Sequence, residues 1–130
     1  MKDGCDPWSP KVLRASMGTC LKLPIFEMSK WEDFSDAVST SLSMNSYQLL
    51  LADCDRTGGK SIIYSDVDMK RPTFIVIGSE SIGISDEIKR VPGAEPIYIP
   101  MLRDLESYNA AVAATIIVSE CTRQRICKIL

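Results

Sequence analysis

The sequence predicts an α/β domain: a mainly parallel sheet flanked by helices. Two continuous apolar runs, QLLLADC at 48–54 and FIVIG at 74–78, and a shorter third, IYIP at 97–100, have the unbroken hydrophobicity of strands covered on both faces. Parallel neighbours need crossovers, and helical stretches lie between the runs. With 130 residues, the chain has the length of one ordinary domain and can bury a real core.

The elements follow in order. Ser9-Pro10 pairs an N-cap with a proline at the first helical position, which predicts a short helix over 11–16 ending near Gly18. Residues 21–26 read as a short strand. Ser29 with Glu32 three positions on forms a capping box, and Trp31, Phe34, Val38 and Leu42 follow at helical spacing, so an amphipathic helix is expected there. Gly58-Gly59-Lys60-Ser61 reads as a hairpin turn, with Ile62-Ile63-Tyr64 continuing as a strand. Ser85-Asp86-Glu87 opens a helix whose acids suit its dipole, and Pro92-Gly93 lies beyond its end. The last helix is expected to begin near Ser107. Its stretch AAVAATIIV, 110–118, is apolar all round, so it is buried deeply or pairs with another subunit.

Composition narrows the chemistry. The chain is 45% hydrophobic and 25% charged, and no apolar run reaches the ~18 residues of a membrane span, so no membrane partner is expected. Met1-Lys2-Asp3-Gly4-Cys5-Asp6 has the features of neither a signal peptide nor a transit peptide. The five cysteines (Cys5, Cys20, Cys54, Cys121, Cys127) form no C-x-x-C pair, and their odd number fits reduced thiols in an intracellular setting, with cytoplasm and organelle both open. Histidine is absent, which excludes a His general base, a His-assisted Ser or Cys nucleophile and a His-containing zinc site; no metal is expected. A net charge of −2 does not advertise nucleic-acid binding, although Lys70-Arg71, Lys89-Arg90 and Arg123-Arg125-Lys128 allow local basic patches.

Ligands of parallel α/β sheets collect at the carboxyl ends of the strands, which singles out two segments, 78–85 and 100–109. The first, GSESIGIS, has the glycine spacing and serine of a phosphate loop but Ile84 where its lysine belongs. Gly58-Gly59-Lys60-Ser61 has Cys54 at the first glycine position and a strand after it. No G-x-G-x-x-G occurs. A tight connection whose glycines permit positive φ remains the alternative for 78–83. In the second segment, Glu106-Ser107-Tyr108-Asn109 places polar groups at the mouth of an apolar helix, where they need a ligand or a local partner; capping by Ser107 and a satisfied first-turn amide at Asn109 are the structural alternatives.

Taken together, IVIGSESIGIS (75–85), IYIPM (97–101) and ESYNAAVAATIIV (106–118) resemble, in order and spacing, the second and third motifs of the SpoU/TrmH family of the SPOUT superfamily. Those motifs read G-x-E-G-x-G, then I-P-M, then S-L-N before an alanine-rich helix. CDPWSPKVLRASMGTCLKLPIFE (5–27) is similar to the family's segment around R-A-S-x-G, especially in its rRNA-directed branch. The resemblance implies transfer of a methyl group from S-adenosylmethionine to a ribose 2′-hydroxyl of RNA, rRNA in preference to tRNA. It also implies a homodimer and a C-terminal trefoil knot. By position, Ile77, Gly78, Gly83, Ile99, Met101, Ser107, Tyr108 and Asn109 would line the cofactor pocket. Glu80 and Asn109 match the family's functional carboxylate and amide, and Lys11 and Arg14 would meet RNA phosphate.

The sequence departs from the pattern in three ways. Full-length members carry an earlier strand and helix with an N-x-G-x-x-x-R motif whose arginine is assigned to activating the ribose hydroxyl. These 130 residues do not contain it, and Arg14 belongs to the later R-A-S-x-G stretch. Ser81 replaces the usual glycine and Tyr108 the usual leucine. The expectation is therefore one SPOUT domain over residues 1–130 without that first strand and helix. A catalytically inactive cofactor-binding or dimerisation module stands as the alternative, and a nucleotide-binding protein using Gly58 to Ser61 as a second.

Overall fold

A computed structural model describes residues 6–41, 47–53, 61–79, 82–102 and 107–126. They fall into two compact units, Met1–Ser41 and Leu42–Leu130.

In the first unit, α1 spans Pro10–Ala15, with Ser9 as its N-cap and the Ser9 side chain accepting from Val12 N, as its sequence predicts. Met17 and Gly18 take positive φ of 50° and 75° and turn the chain into a 3-10 helix, Thr19–Lys22. The strand expected over 21–26 is not formed. Leu21, Leu23 and Phe26 are 70, 60 and 76% exposed, and no strand lies beside them among the described residues of this unit. An extended segment without a partner leaves its backbone groups to water, and Pro24 removes one of its donors. The second helix, α2, spans Trp31–Ser41 and carries Val38 buried on its apolar side. Its opening contact lies one residue beyond the expected Ser29–Glu32 pair: Asp33 Oδ2 accepts from Lys30 N at 3.2 Å. Leu42 lies outside the described residues.

The second unit is an α/β sheet. Its strands are β1 (Gln48–Ala52), β2 (Ile62–Ile63), β3 (Thr73–Ile77) and β4 (Ala94–Tyr98), its helices α3 (Asp86–Lys89) and α4 (Ala110–Ile126). The order across the sheet is β2-β4-β1-β3, and every pairing is parallel. Leu49, Leu50 and Leu51 of the central β1 are all buried, which accounts for the unbroken apolar run. The hairpin reading of Gly58 to Ser61 fails, although residues 58–60 themselves lie outside the described ones. Ile62 and Ile63 pair in parallel with Ile97 and Tyr98 of β4, so β4 lies between β1 and β2 in the sheet. Strand β4 begins three residues earlier than its apolar core suggests and includes Pro96. Ile97 O accepts from Asp53 N at 3.1 Å, so Ile97 turns its polar groups toward β1 and Pro96 faces the outer side. There β2 has not yet begun, and the missing N–H breaks no ladder.

The core comprises Leu50, Val67, Met69, Ile97, Ile117 and Cys121. The C-terminal half of α4 holds the loop before β3 with side chains. Gln124 Oε1 accepts from Met69 N at 2.9 Å, and its Nε2 donates to Val67 O at 3.0 Å. Arg125 donates to Met69 O and Arg71 O, each at 2.9 Å. At the amino edge the buried Gln48 amide is fully used: Nε2 donates to Asp68 O and Thr73 Oγ1, and Oε1 accepts from Arg71 Nε. A buried amide with these partners carries no desolvation penalty of the unpaired kind. The start of α4 corrects the sequence reading: the helix begins at Ala110, not near Ser107. Its apolar circumference is also not deeply buried, since Val112, Val118 and Ile126 are 47, 52 and 52% exposed. Among the described residues no helix is long and apolar enough to cross a membrane.

Candidate functional site

The carboxyl edge of the sheet is where the two segments meet. After β3 the chain closes on itself: Ser79 N donates to Gly83 O at 3.1 Å, Gly83 N to Ser79 O at 2.9 Å, and Ile82 N to Ser79 Oγ at 3.2 Å. The two glycines serve different purposes. Gly83 has φ +72°, a conformation side chains rarely adopt, and open space around its α-carbon. Gly78 lies directly against the far side of the loop. A Cβ there would sit 2.7 Å from Gly83 C and 2.9 Å from Ile84 N, so the loop closes only over glycine. The tight-connection account of these glycines therefore covers positive φ at Gly83 but not the close approach at Gly78.

This loop forms one wall of a cavity of about 250 Å³, lined also by Ile77, Ser107, Tyr108, Ala110 and Ala113. A second cavity of about 40 Å³ adjoins it and is lined by Ile97, Ile99, Met101 and Ile117. Ala52, Asp53, Tyr108 and Ala113 belong to both. Of the residues predicted for the pocket, Ile77, Gly78, Gly83, Ser107 and Tyr108 thus line the larger cavity, and Ile99, Met101 and Tyr108 the smaller.

Asn109 is placed differently. Its Oδ1 accepts from Ala111 N at 3.0 Å and its carbonyl from Ala113 N at 2.9 Å, which makes it the N-cap of α4 in place of Ser107. It is exposed and is not among the described residues lining either cavity. Glu80 and Ser81 lie outside the described residues. Lys11 and Arg14 are exposed on α1, in the first unit. Among the described residues no group of three or more His, Cys, Asp or Glu is placed to hold a metal ion.

Asp53 is the residue that motif reading missed. It follows the last residue of β1, and its carboxylate is 2.7 Å from Lys89 Nζ of α3. The available signal was an acid ending an apolar run, QLLLAD, since a strand buried on both faces delivers its next residue to the ligand edge.

The arrangement matches known proteins along nearly the whole chain. A family model described as the SpoU rRNA methylase family matches residues 1–119. A 23S rRNA (uridine(2479)-2′-O)-methyltransferase of Streptomyces viridochromogenes is 31% identical over 121 residues, covering 93% of this chain and 41% of its own length. An rRNA methyltransferase 3A, mitochondrial, of Danio rerio is 28% identical over 160 residues, covering 95% of this chain and 37% of its own. The chain therefore spans less than half the length of these relatives. The crystal structure of the SpoU methyltransferase AviRb from Streptomyces viridochromogenes in complex with the cofactor AdoMet superposes with a TM-score of 0.82 at 30% identity, over 95% of this chain and 47% of that one. The Aquifex aeolicus TrmH/SpoU tRNA modifying enzyme gives 0.74 at 26% identity, over 89% and 55%. With 119 consecutive residues under the family model and the same parallel sheet beneath them, the chain belongs to the SpoU rRNA methylase family.

Proposed function

We propose that this chain is the cofactor-binding part of an S-adenosylmethionine-dependent RNA 2′-O-ribose methyltransferase acting on rRNA in an intracellular setting. The observation that carries the reading is the convergence of the 78–83 loop and the turn before α4 on one cavity at the carboxyl edge of the sheet. The names of the relatives, rRNA and tRNA methyltransferases, give it its substrate class.

The residues present suit such a cofactor. Ile77, Ile99, Met101 and Ala113 offer apolar surface for a purine. Ser79, Ser107, Tyr108 and the Asp53 carboxylate offer polar partners for hydroxyl and cationic groups. The larger cavity lies just under the ~300 Å³ at which small-molecule sites begin, so a ligand would be held compactly. Bound there, the cofactor supplies a methyl group on a sulfonium, already electrophilic without metal or histidine. What the chain must add is alignment of a ribose oxygen and removal of its proton. In this reading Ile77, Gly78, Gly83, Ile99, Met101, Ser107 and Tyr108 enclose the donor and exclude water. Glu80 and Asn109 orient the ribose, and Lys11 and Arg14 meet phosphate. The exposed Val112, Val118 and Ile126 support dimerisation through α4, and the C-terminal knot belongs to the same proposal.

Calorimetry with S-adenosylmethionine, run beside a tritium-transfer assay on rRNA, tests the reading. Saturable binding and label in ribose 2′-O-methyl groups, mapped by mass spectrometry, are expected. No heat with S-adenosylmethionine, together with a rise in melting temperature on adding ATP, would overturn it in favour of a nucleotide site.

A further inference from the structure

We propose that Asp53 is the residue by which the site tells a positively charged methyl donor from its neutral thioether product, and that Lys89 sets how strongly it does so. The inference rests on the cofactor reading above. Asp53 is the one formally charged residue among the described residues lining the two cavities, and it belongs to both. Its place is fixed from the backbone, since Asp53 N donates to Ile97 O at 3.1 Å across the β1–β4 pairing. Its side chain is only 20% exposed, whereas that of its partner Lys89, which lines neither cavity, is 39% exposed. Asp53 thus lines the cavities while its carboxylate is neutralised in part by Lys89, a residue outside them.

The chemistry turns this geometry into selectivity. S-adenosylmethionine and S-adenosylhomocysteine share adenine, ribose, ammonium and carboxylate, and differ by a methyl group and one positive charge at sulfur. Whatever the shared groups gain at the site cancels in the ratio of the two affinities, so that ratio isolates the charge. A carboxylate beside apolar walls, away from bulk water, attracts a cation more strongly than a solvated one does. In methyl transfer the bond from carbon to the ribose oxygen would form, the carbon–sulfur bond would break with its electron pair left on sulfur, and the hydroxyl proton would pass to water. The thioether left behind no longer carries the charge that Asp53 attracts, so the site favours exchange of product for fresh donor. Lys89 competes with the sulfonium for the same carboxylate and moderates the preference.

Two substitutions should move the ratio in opposite directions. With calorimetry on both ligands, Asp53→Asn is expected to weaken S-adenosylmethionine about tenfold, ~1.4 kcal/mol, while S-adenosylhomocysteine changes less than about twofold. Lys89→Met should raise the donor-to-product preference about threefold. Thermal unfolding of each variant checks that it folds, and if Asp53→Asn does not, the direction of the Lys89→Met ratio decides. Equal weakening of both ligands by Asp53→Asn, or an unchanged ratio in Lys89→Met, overturns the inference and leaves the cofactor reading standing. Failure of the unsubstituted chain to bind either ligand would remove both.

Discussion

Replacing Gly78 with alanine adds one methyl group, and the structure specifies what it meets. The new Cβ would lie 2.7 Å from Gly83 C, 2.9 Å from Gly83 Cα and 2.9 Å from Ile84 N. All three are backbone atoms held by the Ser79–Gly83 bridge, so no side chain can rotate away. Overpacking of this kind costs ~1–3 kcal/mol, or a fall in Tm of roughly 4–12 °C for a domain of this size. Gly83→Ala has open space instead and should cost ~1 kcal/mol through its left-handed φ alone. Asparagine, which tolerates that conformation, separates the two causes. Gly83→Asn should recover most of the stability, and Gly78→Asn should recover none. Chemical denaturation of the four variants, read by circular dichroism, makes the comparison. If Gly78→Ala unfolds with the parent chain, the close approach does not constrain the loop and the account of this wall of the cavity is wrong.

Other substitutions probe other parts of the molecule. Gln124→Ala removes the acceptor for Met69 N and the donor to Val67 O, and should lower stability by about 2–3 kcal/mol in urea titrations; a neutral result would mean water replaces both bonds. Arg123 and Gln124 hydrogen bonds hold the Glu120 carboxyl at about 2, below its usual 4.5. Because the folded value is the lower one, this contribution is complete above about 4.5 and is lost as the pH falls through about 2. Arg123→Met should therefore lose less stability than the parent between pH 5 and pH 2.5, and parallel acid limbs would refute the assignment. At Asn109, alanine should cost ~1 kcal/mol of cap energy and serine little. Methyl transfer that stays low in Asn109→Ser would place the amide in ribose orientation, and full recovery would make it a cap only.

How much of this was legible follows from which residues carry direction. Leu49 to Leu51 announce a buried strand because nothing polar interrupts them, whereas the equally apolar run around Ile75 and Val76, expected to be covered on both faces, forms a half-buried strand at the end of the described strand order; the order of elements makes their pairing parallel. Ile62 and Ile63 carry no such information. Two apolar residues after a glycine pair suit a hairpin as well as an edge strand, and only pairing to Ile97 and Tyr98 decides. Residues 21–26 mislead for the opposite reason, since their β-like composition joins no ladder among the described residues. The glycines at 78 and 83 could be singled out from sequence, yet their separate duties depend on a contact between residues five apart, which no local propensity encodes. Asp53 escaped because its significance lies in the strand that delivers it, and a lone acid has no motif.

Helix α4 reaches both edges of the sheet. Ala110 and Ala113 stand at the cavities, while Gln124 and Arg125 grip the loop before β3, and at 17 residues the helix is ~25 Å of stiff rod between them. Ordering its first turn with a ligand should damp fraying along its whole length. The Met69 amide, whose hydrogen is held by the Gln124 side chain, would then exchange with deuterium more slowly when the distant cavity is filled, making one backbone proton a reporter of occupancy at the opposite edge of the sheet.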